Sequence, residues 1–336
     1  MFINRSAALK VYSLLTLCLC FLLLSPQPLR AERFVGPVEF QNQYLASLGR
    51  ISGVTRTSKL LSPGTLEYRS NYLLTNSVSR DRGLLVDGES RVLETSFGYG
   101  LTDSIEIGLD LPVLWRGAGQ FDQFIDSWHQ FFGFDEGDRD EVARDNFSIS
   151  GSFPDQADFD LTDTGFGVGD VELSAKIELF SEDESFFNTV SSRVSLQLPT
   201  GGELFGTAEP SLGFELLAGR EWESLAIDTG VGLFHYFDSQ NQGLIFPKNN
   251  FSYFISAEYL VWRKLSLQVS GIIFTHPLRK VTGQHTFQAY VDTGFSWNMK
   301  KAGIIDFLVR ENLNDGGNTA DVTVLLGYRN ELGILS

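Results

Sequence analysis

The stretch DSIEIGLDLP, Asp103–Pro112, alternates between polar and apolar residues at nearly every step. In an extended chain, one side carries aliphatic side chains only: Ile105, Ile107, Leu109 and Leu111. The other side carries Ser104, Glu106, Gly108 and Asp110. Because successive side chains of a strand point to opposite faces, this pattern predicts a β-strand with one apolar face and one polar face.

The same alternation returns along the rest of the chain. It is clear in Val171–Phe180, Val190–Leu198, Phe251–Val261, Phe287–Trp297 and Asp321–Tyr328. Less regular versions predict strands at 66–75, 91–101, 211–222, 224–237, 264–275 and 303–311. Together these make about twelve strands, several of them longer than the five or six residues usual in soluble sheets.

These strands predict an all-β fold, specifically a transmembrane antiparallel up-and-down β-barrel. Lipid cannot satisfy an open sheet edge, so strands that face hydrocarbon must close into a barrel. Large rings fall near turns or strand ends, where interfacial aromatics sit in a bilayer: Trp115, Trp222, Tyr236, Trp262 and Trp297. A soluble β-sandwich is the alternative, because its strands alternate as well.

Composition excludes several classes of protein. The 336 residues hold 43% hydrophobic residues, too many for a disordered chain. With 26 Lys+Arg against 42 Asp+Glu, the net charge of −16 argues against nucleic acid as a partner. Two cysteines and four histidines are too few for a disulfide scaffold or a thiolate zinc site. No nucleotide-binding motif is present, so we expect no cofactor.

Residues 1–31 have the pattern of a cleaved signal peptide. Arg5, Lys10 and Arg30 flank the uncharged apolar stretch Val11–Leu24, and Ala31 offers a cleavage point. An uncleaved membrane anchor is the alternative. Export and the barrel pattern together predict the outer membrane of a Gram-negative bacterium. The expected partners are outer-membrane lipid and the barrel-assembly machinery, and a small solute or a divalent cation is a further candidate.

Two segments depart from the strand pattern. In the first, 32–64, Phe40, Tyr44, Leu45 and Leu48 have helical spacing, which suits either a plug or a lead-in to the barrel at 65–336. The second is a long acidic loop, 117–165. Within it, Gln120–Phe134 has the apolar stripe of a short amphipathic helix.

The acidic loop also contains candidate metal ligands. Asp155, Asp158, Asp160 and Asp163 are spaced loosely like carboxylate ligands of a divalent cation, although they do not match the calcium-loop pattern. A solvated acidic loop without a metal is the alternative interpretation.

Four stretches resemble a known family: Gly119–Arg139, Leu84–Val113, Thr164–Phe180 and Leu198–Gly202. The chain is similar over most of its length to Gram-negative barrel proteins catalogued as domain of unknown function thirty-one eighty-seven. The first stretch resembles the family-marker loop and contains Asp122, Asp126, Trp128, His129 and Arg139. The resemblance implies an outer-membrane β-barrel and no settled activity.

Three functions remain open at this point. The first is a channel or small-solute transporter, which the acidic composition would make cation-preferring. The second is a lipid hydrolase, for which His129 with Asp126 is the best-placed catalytic candidate. Ser127 would point elsewhere on a helix, and a distant serine such as Ser192 or Ser195 is left open. The third is a structural or surface-interaction barrel, which a filled lumen would favour.

Overall fold

The computed structural model describes residues 34–81, 83–119, 127, 146–152, 158–182, 185–202, 204–238, 240–241, 244–278, 287–314 and 319–333. Within these ranges no helix is long and apolar enough to cross a membrane.

The predicted strands form one closed antiparallel barrel. They are β1 (Thr65–Asp81), β2 (Leu84–Thr102), β3 (Ile105–Gly117), β4 (Val171–Ser181), β5 (Thr189–Leu198), β6 (Ser211–Glu221), β7 (Leu225–Tyr236), β8 (Asn249–Trp262), β9 (Leu265–Thr275), β10 (Phe287–Asn298), β11 (Ile304–Asn312) and β12 (Val322–Gly333). Each strand pairs with the next, and β12 pairs with β1 from Thr65↔Gly333 to Asn76↔Val322. The predicted twelve-stranded barrel is therefore confirmed.

The connections differ between the two ends of the barrel. At one end, the turn end, strands are joined through 103–104, 182–188, 222–224, 263–264 and 299–303. At the other, the loop end, the connections are mostly longer: 82–83, 118–170, 199–210, 237–248, 276–286 and 313–321. The first residue of β1 and the last residue of β12 therefore both lie at the turn end.

The two faces of the wall follow the alternation of the sequence. In β4, Glu172 and Lys176 are buried, whereas Leu173 and Ile177, which follow them directly, are exposed. Large apolar side chains are exposed on strands all around the barrel, far more than a soluble monomer presents. An apolar outer face and a polar inner face are what a barrel in lipid requires.

The aromatic residues divide by position. Trp222, Trp262 and Trp297 are exposed at the turn end, as expected for rings at a membrane interface. Tyr236 was expected there too, and that expectation is wrong. Its side chain is buried, and its hydroxyl donates to the Ile51 carbonyl at 2.8 Å. The ring points inward because a residue inside the lumen offers it an acceptor.

Residues 34–61, which we call the lumenal segment, run through the inside of the barrel as a hairpin. The first leg begins beside Glu258 near the turn end, and the second leg ends beside Glu106 near the same end. The tip lies at the loop end. The helical spacing in this segment does not correspond to an α-helix, because the only helical element of the segment is the 3-10 turn Leu45–Ser47. The remaining residues form neither helix nor strand and are held by side chains of the wall.

The loop end is partly covered by a small sheet. β1 and β2 continue past the barrel, and Leu84–Asp87 pairs with the short strand Ser148–Gly151, which pairs with Phe159–Leu161. Residues of this sheet pack against Tyr44 and Leu45 at the tip of the lumenal segment. A third short strand, Gly165–Val168, pairs with β3, so the described residues within and just after the predicted long loop include three short strands. The amphipathic helix predicted at 120–134 lies outside the described residues, apart from Ser127.

The outer face provides a test of membrane embedding. Val194 lies at the middle of β5 and is exposed. Val194→Arg should destabilise the barrel in lipid vesicles by about 2–4 kcal/mol, because it places a cation near the bilayer centre. Leu198→Arg, on the same face but at the strand end, should cost about 0–1 kcal/mol. Equal costs, measured by urea unfolding in vesicles, would argue against this placement.

Candidate functional site: the occupied lumen

The wall and the lumenal segment carry opposite net charges. The barrel strands bury eight acidic side chains and five basic ones: Asp87, Glu89, Glu172, Glu215, Asp228, Glu258, Asp292 and Asp306, with Arg116, Lys176, Arg193, Arg310 and Arg329. The segment contributes one acid, Glu39, and three bases, Arg50, Arg56 and Lys59. A positive segment therefore sits in a negative wall.

One ion-pair network joins several strands to the segment. Arg193 on β5 contacts Glu172 on β4 at 2.7 Å and Glu215 on β6 at 3.0 Å. Glu215 also contacts Arg56 of the second leg at 3.3 Å, and Arg56 forms a close ion pair with Glu39 of the first leg. The network thus links the two legs to each other and to the wall.

Glu39 lies between two cations. Arg56 is one, and Arg69 on β1 contacts Glu39 at 2.9 Å. These two cations compensate the charge of the partly buried Glu39 carboxylate.

A second ion pair fixes the first leg from the opposite wall. Arg310 on β11 binds both carboxylate oxygens of Asp292 on β10, at 2.7 and 2.8 Å. The guanidinium also lies 3.9 Å from the centre of the Phe40 ring. Arg310 is only 1% exposed, so its charge depends entirely on these partners.

The wall also binds the main chain of the segment. Glu258 accepts hydrogen bonds from the backbone N–H groups of Val35 and Gly36, at 3.1 and 2.8 Å. The Gln268 amide accepts from Val38 N–H at 3.1 Å and donates to the Gly36 carbonyl at 2.9 Å. One side-chain amide therefore satisfies both a donor and an acceptor of the first leg.

The second leg is bound in the same way. The Gln197 amide accepts from Ile51 N–H at 3.1 Å and donates to the Gly49 carbonyl at 2.7 Å. Wall carboxylates also accept backbone N–H groups in three other places: Asp228 from Ser58, Glu106 from Leu61 and Glu94 from Gln41. Wall side chains thus supply the partners that a neighbouring strand would supply in a sheet.

The loop 199–210 folds over the tip of the segment. Asp170 anchors this loop by accepting hydrogen bonds from Gly201 N–H at 2.7 Å and Thr207 N–H at 2.8 Å. A Cβ at Gly49, where φ is +87°, would lie 2.7 Å from the Phe205 carbonyl oxygen. The tip and the loop therefore meet at a contact that only glycine allows.

Little space remains beside the segment. One cavity of about 50 Å³ lies between the segment and β2, β3 and β4, and includes Gln43, Glu94 and Glu172 in its lining. Another of about 70 Å³ lies at the turn end, beside Lys59 and Arg329. Each holds a few water molecules at most, so neither could pass a solute.

Within the described ranges, none of the candidate site residues singled out from the sequence lies among these lumenal contacts. Six candidates lie outside those ranges: Asp122, Asp126, Trp128, His129, Arg139 and Asp155. Asp158, Asp160 and Asp163 are exposed, and the described residues contain no group of three His, Cys, Asp or Glu side chains placed to hold a metal. Of the two serines, Ser195 is buried on the inner face and Ser192 is on the outer face.

The residues that organise the lumen were not singled out, although the sequence carries a signal for them. Asp292 and Arg310 lie directly opposite each other across the β10–β11 pair, and Arg193 and Glu215 do so across β5–β6. A lumenal ion pair is therefore predicted wherever two oppositely charged residues lie on the polar faces of adjacent strands, each the same number of residues from the turn that joins those strands.

The fold and the lumen define a closed membrane-type β-barrel with a polar interior occupied by its own N-terminal segment. The chain belongs to the family described as "Protein of unknown function (DUF3187)", whose model matches residues 12–332. No curated protein matches the chain.

Solved structures to which this chain is similar are distant in sequence. An outer membrane channel of Pseudomonas putida F1, described by the name COG4313, is 14% identical with a TM-score of 0.55, covering 82% of this chain and 98% of its own. The NanC porin is 8% identical with a TM-score of 0.46, covering 78% and 98%. The Pseudomonas putida toluene transporter TodX is 10% identical with a TM-score of 0.40, covering 89% and 99%.

Arg310 provides a test of the lumenal ion pairs. Arg310→Met should destabilise the barrel by about 3–5 kcal/mol, because it leaves Asp292 buried without its cation. The double variant Arg310→Met with Asp292→Leu should recover most of that loss, since no uncompensated charge remains. Urea unfolding in vesicles measures both, and a neutral single variant would contradict the structure.

Proposed function

We propose that this protein is an outer-membrane channel or small-solute transporter whose lumen is closed by the lumenal segment. The observation that carries this proposal is the character of the wall behind the segment. That wall is lined mainly by polar side chains, with buried apolar ones such as Leu217, Phe254 and Ile272 among them, so removal of the segment would leave a largely polar tunnel open to water. A barrel with no transport role could fill its interior with apolar side chains instead.

The proposed location follows from the outer face. A closed barrel with apolar side chains exposed all around it is stable only in lipid. The signal-like pattern at residues 1–31 supports export and insertion into the outer membrane. One distant structure with this fold is described as an outer membrane channel, which agrees with the proposal.

The topology allows the segment to leave as one piece. Both of its ends lie at the turn end, so the hairpin can withdraw without threading any chain end through the barrel. The contacts that resist withdrawal are hydrogen bonds and ion pairs, which water can replace, together with apolar clusters around Phe40, around Tyr44 and around Ile51. The structure therefore represents the closed form of the proposed channel.

Arg56 offers a test of this closing role. Arg56→Met removes the contacts to Glu39 and Glu215 that hold both legs. In planar bilayers, the variant should open at least about tenfold more often than the unmodified chain, assuming the loss of one to two ion-pair contacts. The current should prefer cations, because acids exceed bases on the wall.

Lys264→Met is the matched control, since Lys264 is an exposed turn residue and the charge change is identical. It should leave the current at the level of the unmodified chain. Absence of current from all three proteins, with folding verified by circular dichroism, would contradict the channel.

A structural or surface-interaction barrel is the second candidate. The filled lumen favours it, together with the sheet that packs on the segment tip at the loop end. In that case the element 117–165 would be the binding surface. Deleting it should then abolish surface binding and leave permeability unchanged, whereas a channel mouth would lose its selectivity.

The hydrolase alternative and the metal site have no support beyond the sequence. His129 with Asp126 lies outside the described residues, and so does Asp155. If purified protein turned over lipid and His129→Ala abolished the turnover, the hydrolase would replace the channel as the leading function.

A further inference from the structure

The two legs of the lumenal segment resemble separately bound peptides. They run antiparallel inside the barrel, yet within 34–61 no backbone–backbone hydrogen bond joins one leg to the other. The contacts between the legs are made by side chains, such as the Thr55 hydroxyl, which donates to the Val38 carbonyl at 2.7 Å. Side chains therefore supply the main-chain partners of each leg, some from the other leg and the others from the wall.

The wall satisfies that need with paired contacts. Gln268 and Gln197 each bind one backbone N–H and one backbone carbonyl, two residues apart in the same leg. Arg329 donates to the carbonyls of Val35 and Gly36, at 2.6 and 3.1 Å. These groups read the repeat of an extended polypeptide and are independent of its side chains.

The contacts continue along both legs. The Asn71 amide donates to the Glu39 carbonyl at 2.7 Å, and the Tyr236 hydroxyl donates to the Ile51 carbonyl at 2.8 Å. They come from strands on different sides of the barrel. A solute without a regular series of N–H and carbonyl groups could not engage them together.

From this arrangement we propose that the lumen is a binding site for extended peptides, and that the lumenal segment occupies it as an internal mimic. The proposal rests on the proposed channel, because a peptide must replace the segment to enter. It names the substrate class as polypeptide main chain, with little dependence on sequence apart from glycine at the positions of Gly36 and Gly49, where φ is +75° and +87°.

The alternative is a permanent core element, whose buried backbone would also need partners. The two differ in whether the segment exchanges. The experiment uses the full chain, refolded in vesicles and then cut once at a protease site introduced at Ser62–Pro63, which are exposed in the turn before β1. Mass spectrometry then measures how much of the cut segment is displaced by an added peptide.

Three competitor peptides separate main-chain from side-chain recognition. The first has the sequence of residues 34–61, and the second is a scrambled version that keeps its Gly and Pro positions. The third is the first peptide N-methylated at Val38, Gln41 and Ile51, whose N–H groups bind the wall. The first two should displace the segment at concentrations within about tenfold of each other. The third should need about 100-fold more, because three hydrogen bonds are lost.

Two wall variants make a matched pair. Gln197 binds the main chain of the segment, whereas Gln288 accepts a hydrogen bond from the Asn42 side chain at 2.9 Å. Gln197→Leu should weaken the native-sequence and scrambled peptides equally. Gln288→Leu should weaken only the native-sequence peptide.

Other outcomes would overturn the proposal. Displacement by the native-sequence peptide but not by the scrambled one would show side-chain recognition, and no displacement by any peptide would show a permanent core element. The current through the cut barrel after the segment is washed out is a separate readout. Current without peptide exchange would support the proposed channel and reject the peptide-binding site. Peptide exchange without current would support the peptide-binding site and reject the channel.

Discussion

Every backbone N–H and carbonyl group in contact with hydrocarbon needs a hydrogen-bond partner, and the rest of this structure follows from that constraint. Strands that alternate between apolar and polar residues can meet it only by closing on themselves, which they do where β12 pairs with β1. Closure turns the polar faces inward. Because the enclosed charges and amides then need partners of their own, the barrel interior becomes the chemically active part of the molecule.

The lumenal segment meets this second need. It brings a net positive charge into a negative wall, and it presents an extended backbone to side chains that carry both donors and acceptors. Such a closure differs from an apolar core because water can take over each of its polar contacts once the segment moves. The same wall can therefore be sealed in one state and hydrated in another, which is what transport through a narrow barrel requires.

The barrel was predictable because its cause is local. Alternation in stretches such as 103–112 depends on neighbours two residues apart, so strand positions and their outward faces can be read directly from the sequence. The contents of the lumen were harder to predict from the sequence. Phe40, Tyr44 and Leu45 have helical spacing, yet their segment forms no helix beyond one 3-10 turn, because Gln268 and Gln197 bind its backbone from positions that are remote in sequence. Tyr236 looks like an interfacial ring until its acceptor, the Ile51 carbonyl, is known. Cross-strand pairs such as Asp292 with Arg310 are intermediate in how well the sequence predicts them, because they depend only on the register of one hairpin.

Disulfide trapping in native membranes would report most directly whether the segment lies inside the barrel. Ser58 donates its backbone N–H to Asp228 at 3.0 Å, and the only cysteines in the sequence are Cys18 and Cys20. With cysteines at 58 and 228, mild oxidation should link the segment to β7, whereas cysteines at 58 and 192 should remain unlinked because Ser192 faces outward. If the first pair did not link and both of its thiols reacted with a membrane-impermeant reagent, the occupied lumen would be refuted.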